Sequence, residues 1–266
     1  MVAIPLKFTI RNMIKSLVLS DTKKIKHAHV NGYEMLVPVD EGIGWLIYYL
    51  KSFDKKETNY ISRAAGKDWV CFDIGANIGY YSLLFASLSK EIRVHSFEPQ
   101  PLCYHLLNSS ILLNDFGNIK LNNFALSNHK GVSEFSISQK CESSSFVDTE
   151  MSPLDKKIRV EVRKLDDYVK ENDIEKIDLM KIDVEGSEKL VLEGSKDVLS
   201  DEKLRPGMIL IELYDPNLTH YDTSVDEVTG LLCSYGYSAS IVSKNGLIPF
   251  TKEHHNIFYN VIFSKK

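Results

Sequence analysis

The sequence has few cysteines, and they form no metal-binding or disulfide motif. Its 266 residues contain four cysteines. No pair has C-x-x-C spacing, and no histidine follows at the distance typical of a zinc finger. This pattern argues against a structural zinc site and against a secreted disulfide framework. We therefore expect a reducing compartment, the cytoplasm.

Long apolar runs are also absent, and so is an excess of basic residues. No apolar stretch reaches the roughly 18 residues that a membrane-spanning helix needs. The 32 basic and 36 acidic residues give a formal net charge of −4, which argues against nucleic acid as the main partner. The remaining composition is that of an ordinary globular chain, so we expect one large domain.

The N-terminal segment combines basic and apolar side chains. Lys7, Arg11 and Lys15 are spaced four apart, which places them on one face of a helix. The segment has no uninterrupted apolar core and no small-residue cleavage site, so we expect no signal peptide. We predict an amphipathic helix packed on its own domain. The alternative is a peripheral contact between this basic helix and an anionic membrane surface.

Strands and helices alternate from about residue 68 onward. Apolar runs predict strands, and apolar residues at helical spacing between them predict helices. The predicted strands are 69–73, 92–97, 119–124, 177–182, 208–213, 237–242 and 256–263, and the predicted helices are 78–89, 101–114, 186–200 and 224–235. Crossover helices between strands indicate a doubly wound α/β fold with a mostly parallel sheet. No helix separates the last two strands, so the last one should run antiparallel.

Two regions depart from this alternation. Residues 131–163 hold two alternating runs around a serine-rich stretch, which predicts a hairpin or an insertion over the sheet. Residues 1–60 are expected to form an irregular N-terminal cap that contains a helix-like stretch at 43–53. Residues 61–266 would then form the ligand-binding domain.

A glycine-containing loop follows the first strand of the alternation. Its sequence, Asp73-Ile-Gly-Ala-Asn-Ile-Gly79, has neither the spacing nor the lysine of a phosphate-binding P-loop. A dinucleotide fingerprint, G-x-G-x-x-G, requires its second glycine where this chain has Asn77. An acid at the end of the second strand, Glu98, stands where a carboxylate commonly accepts from ribose hydroxyls. Asp73, the glycine turn and the ribose-binding Glu98 together are the features expected of a site for S-adenosylmethionine. A nicotinamide cofactor is the weaker alternative.

Several motifs resemble those of one enzyme family. They are Asp73–Ser82, Phe97-Glu-Pro99, Phe124-Ala-Leu-Ser127, Lys181-Ile-Asp-Val-Glu-Gly-Ser-Glu188, Val191-Leu-Glu-Gly194 and Ile211-Glu212. In this order and spacing, the chain resembles the FkbM-type methyltransferases, a branch of the class I methyltransferases, over about residues 68–214. The resemblance implies a seven-stranded sheet with a reversed last strand, S-adenosylmethionine as cofactor, and O-methylation, often of sugar or polyketide hydroxyls.

The resemblance also implies which residues contact the cofactor. Those expected at its methionine part are Asp73, Gly75, Ala76, Asn77, Gly79 and Tyr80, with Asp183 nearby. Glu98 and Pro99 are expected at the ribose, and Ala125 and Leu126 near the adenine. Ser143–Ser145 resemble a serine-rich segment of the family, and a solvated turn is an equal alternative.

Methyl transfer to a hydroxyl needs a group that removes the hydroxyl proton. The candidates at the carboxyl ends of the fourth and fifth strands are Asp183 and Glu212, and His220 in the following loop is the alternative base. Lys181 and Asp183 are two apart on a strand, so they share a face and could pair. Asp183 could instead cap the next helix or shape the cofactor pocket. No histidine accompanies these acids in sequence, so we expect no metal ion.

Four functions remain open at this point. The leading one is an O-methyltransferase acting on a hydroxyl of a glycan, glycolipid or related natural product. The others are a methyltransferase with an amine, carboxyl or ribose acceptor, a cofactor-binding module without catalysis, and a nicotinamide-dependent oxidoreductase. Acceptor specificity should come from residues 1–60, 131–163 and 214–224, which carry no readable code.

Overall fold

The computed structural model describes residues 25–39, 42–137, 156–254 and 259–265. The basic segment that contains Lys7, Arg11 and Lys15 lies outside the described residues, as does Ser143–Ser145. Within the described ranges, no helix combines the length and apolarity needed to cross a bilayer.

The described chain alternates strands and helices as the sequence indicates. The strands are β1 (Ile25–Val30), β2 (Tyr33–Pro38), β3 (Val70–Ile74), β4 (Arg93–Phe97), β5 (Ile119–Asn122), β6 (Ala125–Leu126), β7 (Gly131–Ile137), β8 (Lys156–Arg163), β9 (Leu179–Ile182), β10 (Met208–Leu213), β11 (Tyr237–Ser243), β12 (Gly246–Pro249) and β13 (Tyr259–Lys265). The helices are α1 (Gly42–Leu50), α2 (Lys55–Ala64), α3 (Tyr80–Leu88), α4 (Pro101–Asn114), α5 (Leu165–Glu171), α6 (Glu188–Glu193), α7 (Lys196–Ser200), α8 (Asp215–Leu218) and α9 (Val225–Ser234).

The central sheet has the strand order β12-β11-β13-β10-β9-β3-β4-β5. Strands β10, β9, β3, β4 and β5 pair in parallel, whereas β13 runs antiparallel to both β10 and β11. The prediction of a doubly wound α/β sheet with an antiparallel last strand is therefore confirmed. Among the described residues the sheet has eight strands and not the seven that the resemblance implies, because the chain after β11 turns at Lys244 and Asn245 and pairs back as β12.

Apolar side chains cover both faces of the central strands. All five residues of β3 and all four of β9 are buried, which is why these strands have no polar alternation in sequence. One apolar core lies on each face of the sheet, one containing Phe72 and Ile211 and the other Cys71 and Leu210. The successive side chains of one strand thus pack into two different cores.

The N-terminal region is more regular than expected. Strands β1 and β2 form an antiparallel hairpin whose turn contains Asn31 and Gly32, with φ angles of 49° and 88°. Positive φ at both turn residues is the geometry that Asn-Gly pairs favour in two-residue hairpins. The expectation of an irregular cap is wrong for this stretch because the turn pairs the partly exposed β1 with the mostly buried β2. Helix α2 then continues across residue 60, where the sequence indicated the end of the cap.

Two other stretches refine the sequence prediction. Strands β7 and β8 pair antiparallel, as a hairpin in 131–163 requires, and β6 joins β8 in a small separate sheet. The single helix expected over 186–200 is interrupted between α6 and α7. The interruption lies at Gly194, where a Cβ atom would be 2.0 Å from the Ser127 carbonyl oxygen. The backbone of this turn thus packs directly against the residue that follows β6.

The hairpin is fastened to α4 by one asparagine. The Asn114 side chain accepts a hydrogen bond from the Glu34 amide (2.7 Å) and donates to the Glu34 and Ser110 carbonyls (2.7 Å each). We expect Asn114→Ala to destabilise the protein by about 1–3 kcal/mol, because it leaves the amide of Glu34 without its partner. Urea unfolding measures this loss. Asn108→Ala, an exposed site on the same helix, is the control, and equal stabilities of the two variants would contradict the expectation.

Candidate functional site

The site lies where the order of the parallel strands reverses. The chain leaves β3 toward β4 on one side, and β9 pairs with β3 on the other. Ligands of doubly wound sheets bind in the crevice at the carboxyl ends of such strands. A cavity of about 430 Å³ opens there. Its lining residues are Gly42, Ile43, Leu46, Phe53, Ile74, Gly75, Asn77, Phe97, Glu98, Pro99, Ala125, Leu126, Phe135, Asp183, Val184, Glu185, Ser187, Glu212, Tyr214 and Asn217.

Gly75 allows the loops after β3 and β9 to meet backbone to backbone. Its φ angle is 76°, in the region that side chains disfavour. A Cβ atom at this position would lie 1.8 Å from the carbonyl oxygen of Asp183. The glycine is therefore required both by the turn and by the close approach, and it shapes the floor of the cavity.

Glu98 joins the glycine loop to the end of β4. Its Oε2 accepts a hydrogen bond from the Asn77 amide and its Oε1 accepts from the Gln100 amide, each at 2.7 Å. Burial raises the pKa of Glu98 to about 7, although the two amide donors favour the charged form and oppose this effect. The carboxylate thus faces the cavity with a fixed orientation, as an acceptor for hydroxyl groups must.

Four of the expected cofactor residues lie behind the cavity wall. Asp73 is fully buried and accepts a hydrogen bond of 2.5 Å from the Ser82 hydroxyl. Gly79 begins α3 with a φ of 93°, and a Cβ atom there would lie 2.1 Å from the Leu107 side chain. The Tyr80 hydroxyl accepts from the Phe53 amide (3.0 Å). These three residues and the buried Ala76 shape the loop from beneath and do not line the cavity.

Lys181 is a buried cation held between two carboxylates. Its Nζ lies 2.9 Å from Oδ2 of Asp183 and 3.9 Å from Oδ1 of Asp73. Burial alone would lower the pKa of Lys181, but the charges of Asp183 and Asp73 outweigh it and raise this pKa above its ordinary value. The pairing expected from the two-residue spacing is therefore present. It holds the Asp183 carboxylate at the rim of the cavity.

Further acids crowd the same rim. Burial raises the pKa of Glu212 well above its ordinary value, and the charges of Asp183 and Glu185 raise it further. Glu185 accepts a hydrogen bond from the Asn217 side chain (3.0 Å). Glu188 lies beneath the loop and accepts from the Val184 and Gly186 amides (3.1 Å each). Among these acids, Glu212 therefore gains most from being protonated or from a nearby cation.

His220, the alternative base, does not belong to the cavity wall. It lies on a short 3₁₀ helix, Thr219–Tyr221, and is exposed. The loop after β10 instead presents Tyr214 and Asn217 to the cavity. The loop lies at the carboxyl edge as expected, but the histidine is exposed and does not line the cavity.

Sequence reasoning missed the residues that close the cavity from above. Ile43 and Leu46 of α1 and the following Phe53 line one side, and Phe135 of β7 lines another. These residues come from the N-terminal region and from 131–163, two of the three segments expected to set specificity. Nothing in their local pattern distinguishes them from core residues, since each is a single apolar side chain.

The charge of the cavity wall limits what can bind. Four lining residues, Glu98, Asp183, Glu185 and Glu212, carry carboxyl groups, and the lining contains no lysine, arginine or histidine in the described part of the chain. A pyrophosphate would be repelled by such a wall, whereas a cationic sulfonium with an ammonium group would be attracted. The residues present therefore fit S-adenosylmethionine better than a dinucleotide.

A metal ion is a separate question. Among the residues that the structure describes, no three His, Cys, Asp or Glu side chains group closely enough to hold one. The expectation that no metal ion takes part stays a prediction.

The buried acid beneath the loop should make stability depend on pH. Burial raises the pKa of Glu188 from 4.5 to about 7. Between these values the folded chain binds the proton that the unfolded chain has released, so stability falls as pH rises through this window. From pH 5 to 8, we expect wild type to lose up to roughly 3 kcal/mol more than Glu188→Gln, which resembles the protonated acid.

Urea unfolding at several pH values measures this difference. Glu91→Gln, at an exposed carboxyl, is the control and should keep the wild-type dependence. If the free energy of unfolding changed with pH in the same way for wild type and Glu188→Gln, the proton on Glu188 would not contribute to the pH dependence of stability.

Comparison with known sequences gives a family match. Residues 73–239 match the family described as Methyltransferase FkbM domain. Methyltransferase sdnD of Sordaria araneosa is 30% identical over 46% of this chain and 58% of its own length, so the match spans less than two thirds of that relative. The 31-O-demethyl-FK506 methyltransferase FkbM of Streptomyces tacrolimicus is 26% identical over 70% of this chain and 78% of its own length.

Comparison with solved structures supports the fold. The METTL16 MTase domain matches with a TM-score of 0.52, over 98% of this chain and 81% of that chain. The two sequences are 14% identical, so this likeness concerns the fold alone.

Proposed function

Since the chain belongs to the FkbM methyltransferase family, we propose that it is an O-methyltransferase that acts on a hydroxyl group of a small molecule or glycan. Family, fold class and S-adenosylmethionine as cofactor are those that the sequence motifs indicate. The oxygen acceptor and the roles of individual residues are the proposal. The observation that supports it most is a cavity at the strand switch point whose wall contains four carboxyl groups and, within the described part of the chain, no basic side chain.

The residues around the cavity divide into two groups. Gly75, Asn77 and Glu98 would hold the amino-acid and ribose parts of the cofactor, with Pro99, Ala125 and Leu126 against the adenine. When bound, the cofactor supplies an electrophilic methyl group on a positively charged sulfur. Asp183 and Glu185, which line the same cavity, add negative charge that favours this cation.

Asp183 is the residue that we propose as general base. Its carboxylate faces the cavity, and its Oδ2 accepts from Lys181 at 2.9 Å, which fixes its orientation. The free lone pairs of the carboxylate can accept a hydroxyl proton from an acceptor bound beside it. Glu212 is less suited to this role because its raised pKa keeps it protonated to higher pH. His220 is less suited because it lies outside the cavity wall.

The acceptor that we propose is a hydroxyl of a glycan, glycolipid or related natural product. The relative from Streptomyces tacrolimicus is named for the 31-O position of FK506, which supports an oxygen acceptor. The polar side chains of Tyr214 and Asn217 and the apolar Leu46 and Phe53 would contact different parts of such a molecule. A peripheral membrane contact through the basic segment that contains Lys7, Arg11 and Lys15 would bring the enzyme to membrane-bound acceptors. Flotation with liposomes, with and without residues 1–26, tests that contact.

Two measurements test the proposed function. Calorimetric titration of S-adenosylhomocysteine, with NAD⁺ as comparator, tests the cofactor, and micromolar affinity for the first ligand alone is expected. Transfer of a labelled methyl group is then measured on a panel of alcohols, amines and carboxylic acids. Label on amines or carboxyls alone would overturn the oxygen acceptor. Cofactor binding without transfer to any acceptor class would favour a binding module.

A further inference from the structure

Helix α1 exposes a row of large apolar side chains. The exposed fractions are 43% for Trp45, 58% for Tyr49 and 59% for Leu50. Trp45 and Tyr49 are one helical turn apart, and their ring centroids are 5.1 Å from each other. No residue from 42 to 50 is charged, although most exposed helix faces carry charges. We call Trp45, Tyr49 and Leu50 the outer face of α1.

The other side of the same helix packs against the rest of the protein. Ile43 and Leu46 line the cavity, and Ile47 is fully buried. Gly44 packs so closely on β2 that a Cβ atom there would lie 1.9 Å from the Pro38 carbonyl oxygen. The helix therefore cannot rotate to bury its outer face, which stays toward solvent while its inner face borders the cavity.

Basic side chains stand at the C-terminal end of this face. Lys51, Lys55 and Lys56 are exposed, and none of them forms an ion pair among the described residues. The Lys51 ammonium lies 4.6 Å from the centre of the Tyr48 ring, which joins the lysines to the aromatic side chains. Asp54 and Glu57 lie among these lysines, so residues 51–57 have a formal charge of +1 in a chain of net charge −4. The Asp54 carboxylate is turned into the protein, where it accepts from Tyr81 and Asn260 at 2.9 Å each.

We propose that the outer face of α1, together with Lys51, Lys55 and Lys56, docks on an anionic lipid bilayer. Tryptophan and tyrosine side chains are favoured at the boundary between headgroups and acyl chains, where one end is apolar and the other wet. Lysines beside them attract anionic headgroups. A symmetric contact with a second copy of the chain fits less well, because it would bring the lysine cluster toward its own copy.

Docking through α1 would determine how far the cavity lies from the membrane. Because one helix carries both the outer face and part of the cavity wall, docking places that wall about one helix diameter, roughly 10 Å, from the lipid surface. Membrane docking does not depend on methyl transfer, so it can be tested without an acceptor.

Flotation of the full-length chain with phosphatidylcholine vesicles that contain phosphatidylglycerol tests the proposal. We expect wild type to float and Trp45→Ser/Tyr49→Ser/Leu50→Ser to lose at least about tenfold in partitioning. Lys51→Glu/Lys55→Glu/Lys56→Glu should lose roughly a hundredfold, and wild type should float less well with pure phosphatidylcholine. A matched control replaces three exposed apolar residues elsewhere, Leu112, Val132 and Ile248, with serine and should float like wild type.

A fluorescence measurement locates the contact. Trp45 and Trp69 are the two tryptophans, so Trp69→Phe leaves Trp45 as the sole reporter. On adding vesicles, we expect a blue shift of its emission and quenching by brominated lipids. Unchanged emission, or equal flotation of wild type and the α1 triple variant, would overturn the proposal. A dimer by sedimentation that the triple variant abolishes, without vesicle binding by wild type, would overturn it in favour of a contact between copies.

Discussion

Asp183→Asn is expected to lower kcat by about 10²–10⁴-fold, the usual contribution of a general base. An asparagine keeps the shape and the acceptor oxygen that faces Lys181, but it cannot take up a hydroxyl proton. The affinity for S-adenosylhomocysteine should change little, because the Gly75 loop and Glu98 remain in place. Activity under saturating cofactor and acceptor, with the affinity measured separately by calorimetry, distinguishes the two effects.

Two matched variants sharpen this experiment. Glu212→Gln resembles the protonated form that burial and neighbouring charges favour, so it should retain most of the activity. His220→Ala should be indistinguishable from wild type, since this side chain is exposed. If Glu212→Gln or His220→Ala abolished activity while Asp183→Asn did not, the base would be misassigned. Circular dichroism must accompany all three, because Asp183→Asn also removes half of the charge that compensates buried Lys181.

The second large effect is expected at Gly75. Alanine at a φ of 76° costs about 1–2 kcal/mol from backbone strain alone. Its Cβ atom would also lie 1.8 Å from the Asp183 carbonyl oxygen, so the loops after β3 and β9 must move apart. We expect Gly75→Ala to weaken the binding of S-adenosylhomocysteine by at least about tenfold and to destabilise the fold by about 3 kcal/mol or more.

Gly32 provides the control for this substitution. It lies in the turn of the β1–β2 hairpin with a φ of 88°, and a Cβ atom there would meet nothing within 4 Å. Gly32→Ala therefore carries the backbone strain without the steric clash. Equal losses of stability in the two alanine variants, together with unchanged ligand affinity for Gly75→Ala, would show that the contact between the two loops is unimportant.

The elements that the sequence predicts best are those buried on both faces. Strand β10 is predicted at its observed bounds, since its apolar run is bordered by Gly207 and by a polar loop. The β1–β2 hairpin is missed because each strand shows only weak alternation, and the Asn31-Gly32 turn is the one local signal. Strand β12 is missed for a similar reason, as its residues lie at the sheet edge and are mostly exposed.

For the site, the sequence predicts which positions lie at the cavity better than it predicts the directions of their side chains. Gly75, Glu98 and Asp183 line the cavity because the carboxyl ends of parallel strands meet at one edge, and their roles toward the cofactor stay predictions. Asp73 ends its strand in the same way, yet its side chain points beneath the loop toward Lys181, its partner on β9. A sequence motif gives the position of such an acid but not the direction of its side chain. The residues that close the cavity come from distant segments, and only the fold brings them together.

The crowding of Asp183, Glu185 and Glu212 has a consequence for how this chain tolerates mutation. Mutual repulsion and burial make the ionised form of Glu212 unfavourable, so an amide at this position would relieve strain in the free protein. An amide in place of Glu185 would relieve the same repulsion, but it would also remove a charge that attracts the ligand. Substitutions that stabilise a fold in this way often reduce function. Screening for thermostable variants alone would therefore select against the negative potential of the cavity, whereas selection for activity would preserve it.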